Sequence, residues 1–270
     1  MKRIIMSVAR GARERLRDAG LDIRSVRGRE HWRAGVEILW HTLDDRTERV
    51  RICHIEGFDK RALFLVRDAQ DYIQSHYLKG SYYAEDELKL IQQYYRGGTF
   101  LDIGANVGNH TVFAGVVLEA PRIIACEPYR PAHRILRCNT ALNDLEDRVE
   151  HMAIGLSDEA GTGNMVGRAT NMGATRIDTA GGDIPIRVGD ELFANEDISF
   201  IKLDVEGMEM SVLHGLKKTI RRCRPDILVE VENKNLDEFE TLCRDFGYTV
   251  QESWRPYVSI TYFLVSADER

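Results

Sequence analysis

Apolar positions change rhythm along the chain. Ile5, Val8, Ala12, Leu16 and Ala19 recur at helical spacing with arginines between them, which predicts a basic amphipathic helix. It is expected to dock on its own domain or on a second copy of the chain. Runs at 48–55 and 62–66 read as strands, with Gly57 marking the turn between them. Early acids and the stop Gly97-Gly98 bound a helix over 86–95.

From Thr99 onward, short apolar runs alternate with helical periodicity. Strands are predicted at 99–103, 122–126, 149–154, 198–205 and 225–231, and helices at 109–118, 132–142, 208–221 and 235–246. Strand-like pieces follow at 248–252 and 259–265. Such alternation implies a mostly parallel sheet flanked by helices. Ligands of these sheets lie outside the carboxyl ends of the strands. The loops after Ile103, Cys126, Ile154, Leu203 and Val229 are therefore where chemistry is expected.

Composition narrows the partners. The 270 residues suffice for one large α/β domain plus a smaller N-terminal element, with a soft boundary near residue 80. Net charge is −6, so no global field draws the chain onto nucleic acid or anionic lipid. Cys53, Cys126, Cys138, Cys223 and Cys243 are scattered, which argues for free thiols in a reducing, cytoplasmic setting rather than disulfides or zinc. No apolar run approaches ~20 residues, and arginines interrupt the start, so neither a transmembrane segment nor a signal peptide is expected. His133, His151 and His214 read as packing or surface residues, and Trp32, Trp40 and Trp254 as core or interface anchors.

Three features carry candidate chemistry. Asp102, Gly104, Asn106 and Gly108 sit where a strand turns into a helix, and glycines there let backbone approach a ligand. Asn106 stands where a dinucleotide loop would have its middle glycine. Glu127 closes the next strand ahead of Pro128 and suits two ribose hydroxyls. Asp204, Glu206 and Glu209 converge after the 198–205 strand, and such like charges need a cation or a proton to compensate them.

The segments FLDIGANVGNHT (100–111), the ACEP step with downstream Asn139 and Asn143, AIGLSDEAG (153–161), FIKLDVEGMEMSVLHG (200–215) and PDILVEVE (225–232) resemble the FkbM family of methyltransferases. The resemblance covers residues 80–265 with the motifs in order. It implies a Rossmann-like Class I methyltransferase fold: a seven-stranded, mostly parallel sheet of order 3-2-1-4-5-7-6 with its last strand antiparallel. A smaller α+β extension (1–80) would precede the methyltransferase domain (81–270). It implies S-adenosylmethionine as methyl donor and a hydroxyl oxygen of a sugar or secondary metabolite as acceptor.

By position, Asp102, Gly104, Asn106 and Gly108 resemble the methionine-side loop and Glu127 the ribose acid. Ala153, Ile154 and Asp158 resemble the adenine side. The stretch 170–173, with Asn171, and Glu206 are placed on the acceptor side. Either Asp204 or His110 is the expected general base. Asp204 with Glu230 or Glu232 and Asn233 could instead hold Mg²⁺, but the absence of dedicated ligand spacing disfavours it. The competing readings are an NAD-dependent oxidoreductase, which the loop pattern fits poorly, and a non-catalytic S-adenosylmethionine-binding module. A homodimer through the N-terminal region is a further expectation.

Overall fold

A computed structural model describes residues 51–166, 176–178, 181–258 and 260–267. The N-terminal amphipathic helix, the dimer contact expected of that region, and Asn171 lie outside the described residues. Strands β3 (Thr99–Ile103), β4 (Arg122–Cys126), β10 (Ile198–Leu203) and β11 (Asp226–Glu232) are mainly apolar and buried almost throughout. Runs of this kind suit parallel strands covered on both faces. With β5 (Val149–Met152), β12 (Tyr248–Tyr257) and β13 (Ile260–Ala267) they form a seven-stranded sheet, ordered β12-β13-β11-β10-β3-β4-β5. Counted in chain order within this sheet, the succession is 3-2-1-4-5-7-6, and the last strand runs antiparallel to both neighbours.

Alternate residues of each strand feed two apolar layers. Phe100, Phe200 and Leu228 join the layer packed by α2 (Glu85–Tyr94), α3 (Asn109–Val116) and α4 (Arg130–Leu142). Leu101, Ile201 and Val229 join the layer of α6 (Glu209–Gly215), α7 (Lys217–Cys223) and α8 (Leu236–Phe246). The single helix expected over 208–221 is therefore two. Asp190 caps the second of them, its carboxylate accepting from the amides of Lys218 and Thr219 at 2.9 and 2.7 Å.

The first layer is closed by a hairpin, β1 (Arg51–Gly57) and β2 (Lys60–Val66), followed by α1 (Tyr72–Leu78). Its turn is Phe58-Asp59, both at positive φ (55° and 57°), rather than Gly57. This left-handed pair matches the twist of a two-residue hairpin. Asn139 on α4 and Asn143 just past its end fasten the hairpin in place. Asn139 Oδ1 accepts from Leu65 N at 2.7 Å while its Nδ2 donates to Val107 O at 2.7 Å, tying β2 to the loop after β3.

Residues 155–188 carry no predicted element, yet they form a second sheet, β6-β9-β7-β8. Its strands are β6 (Gly155–Ser157), β7 (Gly161–Val166), β8 (Arg176–Asp178) and β9 (Ile184–Val188). They are only three to six residues long, and the longest, β7, is largely exposed, so periodicity has little to report. The expectation of one sheet is corrected accordingly. A short helix α5 (Gly189–Leu192) returns the chain to β10.

Candidate active site

The turn after β3 is built from backbone. The amides of Gly104 and Ala105 both donate to Cys126 O at 3.0 Å, which locks the loop against the end of β4. Gly104 has φ +75°, and a Cβ there would lie 1.8 Å from Asp204 O. Only glycine fits this crossing of two strand tips. Gly108, at φ +92°, starts α3, and a Cβ there would meet Leu136 Cδ1 at 2.7 Å.

Glu127 is buried at the tip of β4. Asn106 N donates to its Oε2 and Tyr129 N to its Oε1, both at 2.7 Å. Burial pushes the carboxyl up to about 7, opposed by these two amides. Each oxygen keeps a further lone pair for a ligand hydroxyl.

A cleft of about 430 Å³ opens here, along the carboxyl edge of the sheet. Gly104, Asn106 and Glu127 form one side of it. Ile154, Leu156, Met165 and Ile177 supply an apolar side, the last two from the second sheet. Asp204, Glu206 and Glu230 line it as well, Asp204 directly beside the Gly104 turn. One oxygen from each of these three acids lies within 4.8 Å of the others. Such crowding is relieved by protons. Glu206 is pushed up to about 7 by burial and then by Asp204, Glu209 and Glu232. Glu230 rises to about 9, chiefly from burial and then from Asp204, although Tyr262 donates a hydrogen bond to it. Trp254 stacks on Tyr262 with ring centroids 5.3 Å apart and so fixes that phenol.

Positive charge comes from Lys202, which is 4% exposed. Its ammonium donates to Gly104 O at 2.8 Å and lies 3.6 Å from Asp102 and 3.7 Å from Asp204. Burial alone would lower its pKa, but the carboxylates of Asp204, Asp102, Glu87 and Glu230 outweigh burial and raise it. His110 also lines the cleft, with Nε2 lacking a hydrogen-bond partner and 3.6 Å from Glu87 Oε2. Burial, helped by Lys202, lowers the imidazole to about 4, while burial raises Glu87 to about 7. The ring is therefore neutral at pH 7.

The structure brings together Gly104, Asn106, His110, Glu127, Ile154, Asp204, Glu206 and Glu230. Other expected residues fall elsewhere. Asp102 is fully buried beneath the loop, accepting from Thr111 Oγ1 at 2.6 Å, because strand alternation turns it toward α3. Gly108 serves the contact between α3 and α4 rather than the cleft. Ala153 and Asp158 are exposed and do not line the cleft. Glu232 pairs with Lys234, and Asn233 joins Thr261 to Val258, so neither stands with Asp204 and Glu230.

Sequence reasoning passed over Lys202, Glu87 and Tyr262. A lysine inside the apolar run of β10 was a readable signal of a paired buried charge. Glu87 and Tyr262 reach the cleft only through tertiary packing and leave no such mark.

A Rossmann-like sheet of this strand order, with a glycine turn and acids clustered at its carboxyl edge, fits the methyltransferase class of α/β enzyme. The Methyltransferase FkbM domain matches residues 102–251, and the chain belongs to this family of methyltransferases. A relative, Methyltransferase sdnD of Sordaria araneosa, is 25% identical over 198 residues, covering 58% of this chain and 76% of its own. Among solved structures, an FkbM methyltransferase from Methylobacillus flagellatus KT is 17% identical with a TM-score of 0.45. The match covers 71% of this chain and 52% of that one. The tRNA m1G37 methyltransferase of M. jannaschii is 14% identical with a TM-score of 0.47, covering 82% and 55% of the two chains. Among the described residues, no helix is long and apolar enough to cross a membrane.

Proposed function

We propose that the chain transfers a methyl group from S-adenosylmethionine to a hydroxyl oxygen of a small molecule. The observation that carries this reading is the single cleft that joins Gly104, Asn106 and Glu127 to the wall of Asp204, Glu206 and Glu230. The residues fit the donor. Glu127 offers two carboxylate oxygens toward ribose hydroxyls, Asn106 has a buried side-chain oxygen without a partner, and the apolar side suits a flat base. When bound, S-adenosylmethionine supplies an electrophilic methyl on a positively charged sulfur.

The task left to the chain is alignment and removal of one proton. Alignment of this kind supplies on the order of 7–11 kcal/mol. Asp204 opens toward the cleft with its side chain 29% exposed, and Lys202 steadies it from below. It takes the hydroxyl proton in this reading. His110, neutral with Nε2 unpartnered, hydrogen-bonds the acceptor beside it. Lys202 and the shared protons already compensate the acidic wall, so the reading needs no divalent ion.

Two measurements test it. S-adenosylhomocysteine should raise the melting temperature and NAD should not, since only a ligand of the native state stabilises it. Labelled donor incubated with neutral and amine-bearing hydroxyl compounds should then transfer its methyl to oxygen. Stabilisation by NAD alone, or transfer to carbon or nitrogen only, would overturn the assignment.

A further inference from the structure

Beyond the donor cleft lies a second space of about 490 Å³, entered past Tyr72, Tyr83 and Tyr262, which border both. Its wall is aromatic. Tyr72, His76 and Tyr83 meet edge to face, with centroids 5.4, 5.7 and 5.5 Å apart. Tyr72 is 54% exposed, a large ring left open to a ligand. The charged side chains on this wall are Glu85 and Glu87, and neither lysine nor arginine lines it among the described residues.

The adjoining cleft adds Glu127, Asp204, Glu206 and Glu230. Against these stands Lys202, already engaged by Gly104, Asp102 and Asp204. The imidazoles add no cation. His76 is lowered by burial and by Lys79 against Glu85, and His110 falls to about 4. An anionic group entering here would meet these acids with no free cation to pair with, whereas a cation would draw the protons off Glu87, Glu127 and Glu206, which are raised only to about 7. An ammonium would meet open aromatic faces and carboxylates together, the combination that favours cations.

We infer that this second space is the acceptor subsite and that it selects a molecule bearing a protonated amine on or beside a ring. The inference rests on the methyl-transfer reading and adds the charge of the acceptor to it. It sets phosphorylated and polynucleotide acceptors aside on electrostatic grounds.

The test uses three probes that share one ring and one hydroxyl: tyramine, p-cresol and 4-hydroxyphenylacetate. Each is titrated by NMR into protein saturated with S-adenosylhomocysteine. Tyramine should bind about tenfold more tightly than 4-hydroxyphenylacetate, with p-cresol between them. Glu85→Lys, an exposed change, should reduce that preference to about threefold or less. Tyr72→Ala should weaken tyramine about fivefold, and Glu85→Lys, outside the donor cleft, should leave the affinity for S-adenosylhomocysteine unaltered. Equal affinities, a preference for the carboxylate, or no tyramine binding up to about 10 mM would overturn the subsite while donor binding persists. Failure of the wild-type protein to bind S-adenosylhomocysteine would instead remove the methyl-transfer reading, and the subsite with it.

Discussion

Around the Gly104 turn, the cleft is framed by main chain: the turn itself and the Asn106 amide, braced by Cys126 O and Glu127. Beside it the cleft is lined by side chains delivered from separate strands: Asp204 after β10, Glu230 on β11 and Tyr262 on β13. A backbone wall is set by local conformation and tolerates almost no added atom. A side-chain wall is set by sheet order and is tuned by charge. The first should fail through shape, the second through protonation.

Substitutions and pH can break this contrast. Asp204→Asn keeps the shape and removes the base, so kcat should fall by about 10²–10⁴ while S-adenosylhomocysteine affinity changes little. An equal loss in both would mean that Asp204 binds donor instead. Gly104→Ala introduces the clash at 1.8 Å. Calorimetry should show donor binding weakened by about 10²-fold, and denaturant unfolding a loss of about 1–3 kcal/mol. Glu127→Ala removes the carboxylate proposed to hold the ribose, together with its bonds to the Asn106 and Tyr129 amides, and a donor affinity reduced by about 10- to 100-fold is expected by titration.

The acidic wall has a pH signature. Glu127 and Glu206 are raised from 4.5 to about 7 and Glu230 from 4.5 to about 9. A raised carboxyl stabilises the fold most below its unfolded pKa and loses that contribution as pH climbs through the folded value. His110, lowered from 6.5 to about 4, acts in the opposite direction, losing stability as pH falls from 6.5 to 4. Above pH 6.5 the carboxyls act alone. The melting temperature of the ligand-free protein should therefore drop between pH 6.5 and 9, by about 2–4 °C. Glu230→Gln should remove the part of that drop above pH 7. A flat profile in the wild type would show that the wall does not store protons. The smallest effect concerns metal: EDTA should change turnover by no more than about twofold, because Lys202 already neutralises Asp204.

Legibility in the sequence divides along the same line. Strands 99–103 and 122–126 were readable to the residue because buried parallel strands are short, mainly apolar runs. Gly104, Glu127 and Asp204 were readable as strand-tip residues for the same reason. The second sheet was not, since half-exposed strands of three to six residues carry no clear period. Asp102 was misplaced because a motif names a residue without saying which face of its strand it takes. Asp158 and Ala153 followed the motif into the loop after β5, yet Met165 and Ile177 of the second sheet occupy that side of the cleft.

From its sequence alone, the chain determined its alternating α/β architecture, its strand-tip turn and the acids that close its strands. These follow from hydrophobic period and from the glycine at 104, which act within a few residues of themselves. Tertiary structure alone decided which acids share one wall and that Lys202 underlies them. It also decided that Tyr72, Tyr83 and Glu87 border one second space beside the cleft. Those groups lie far apart along the chain, and only the order of strands and the packing of α1 and α2 bring them within reach of one ligand.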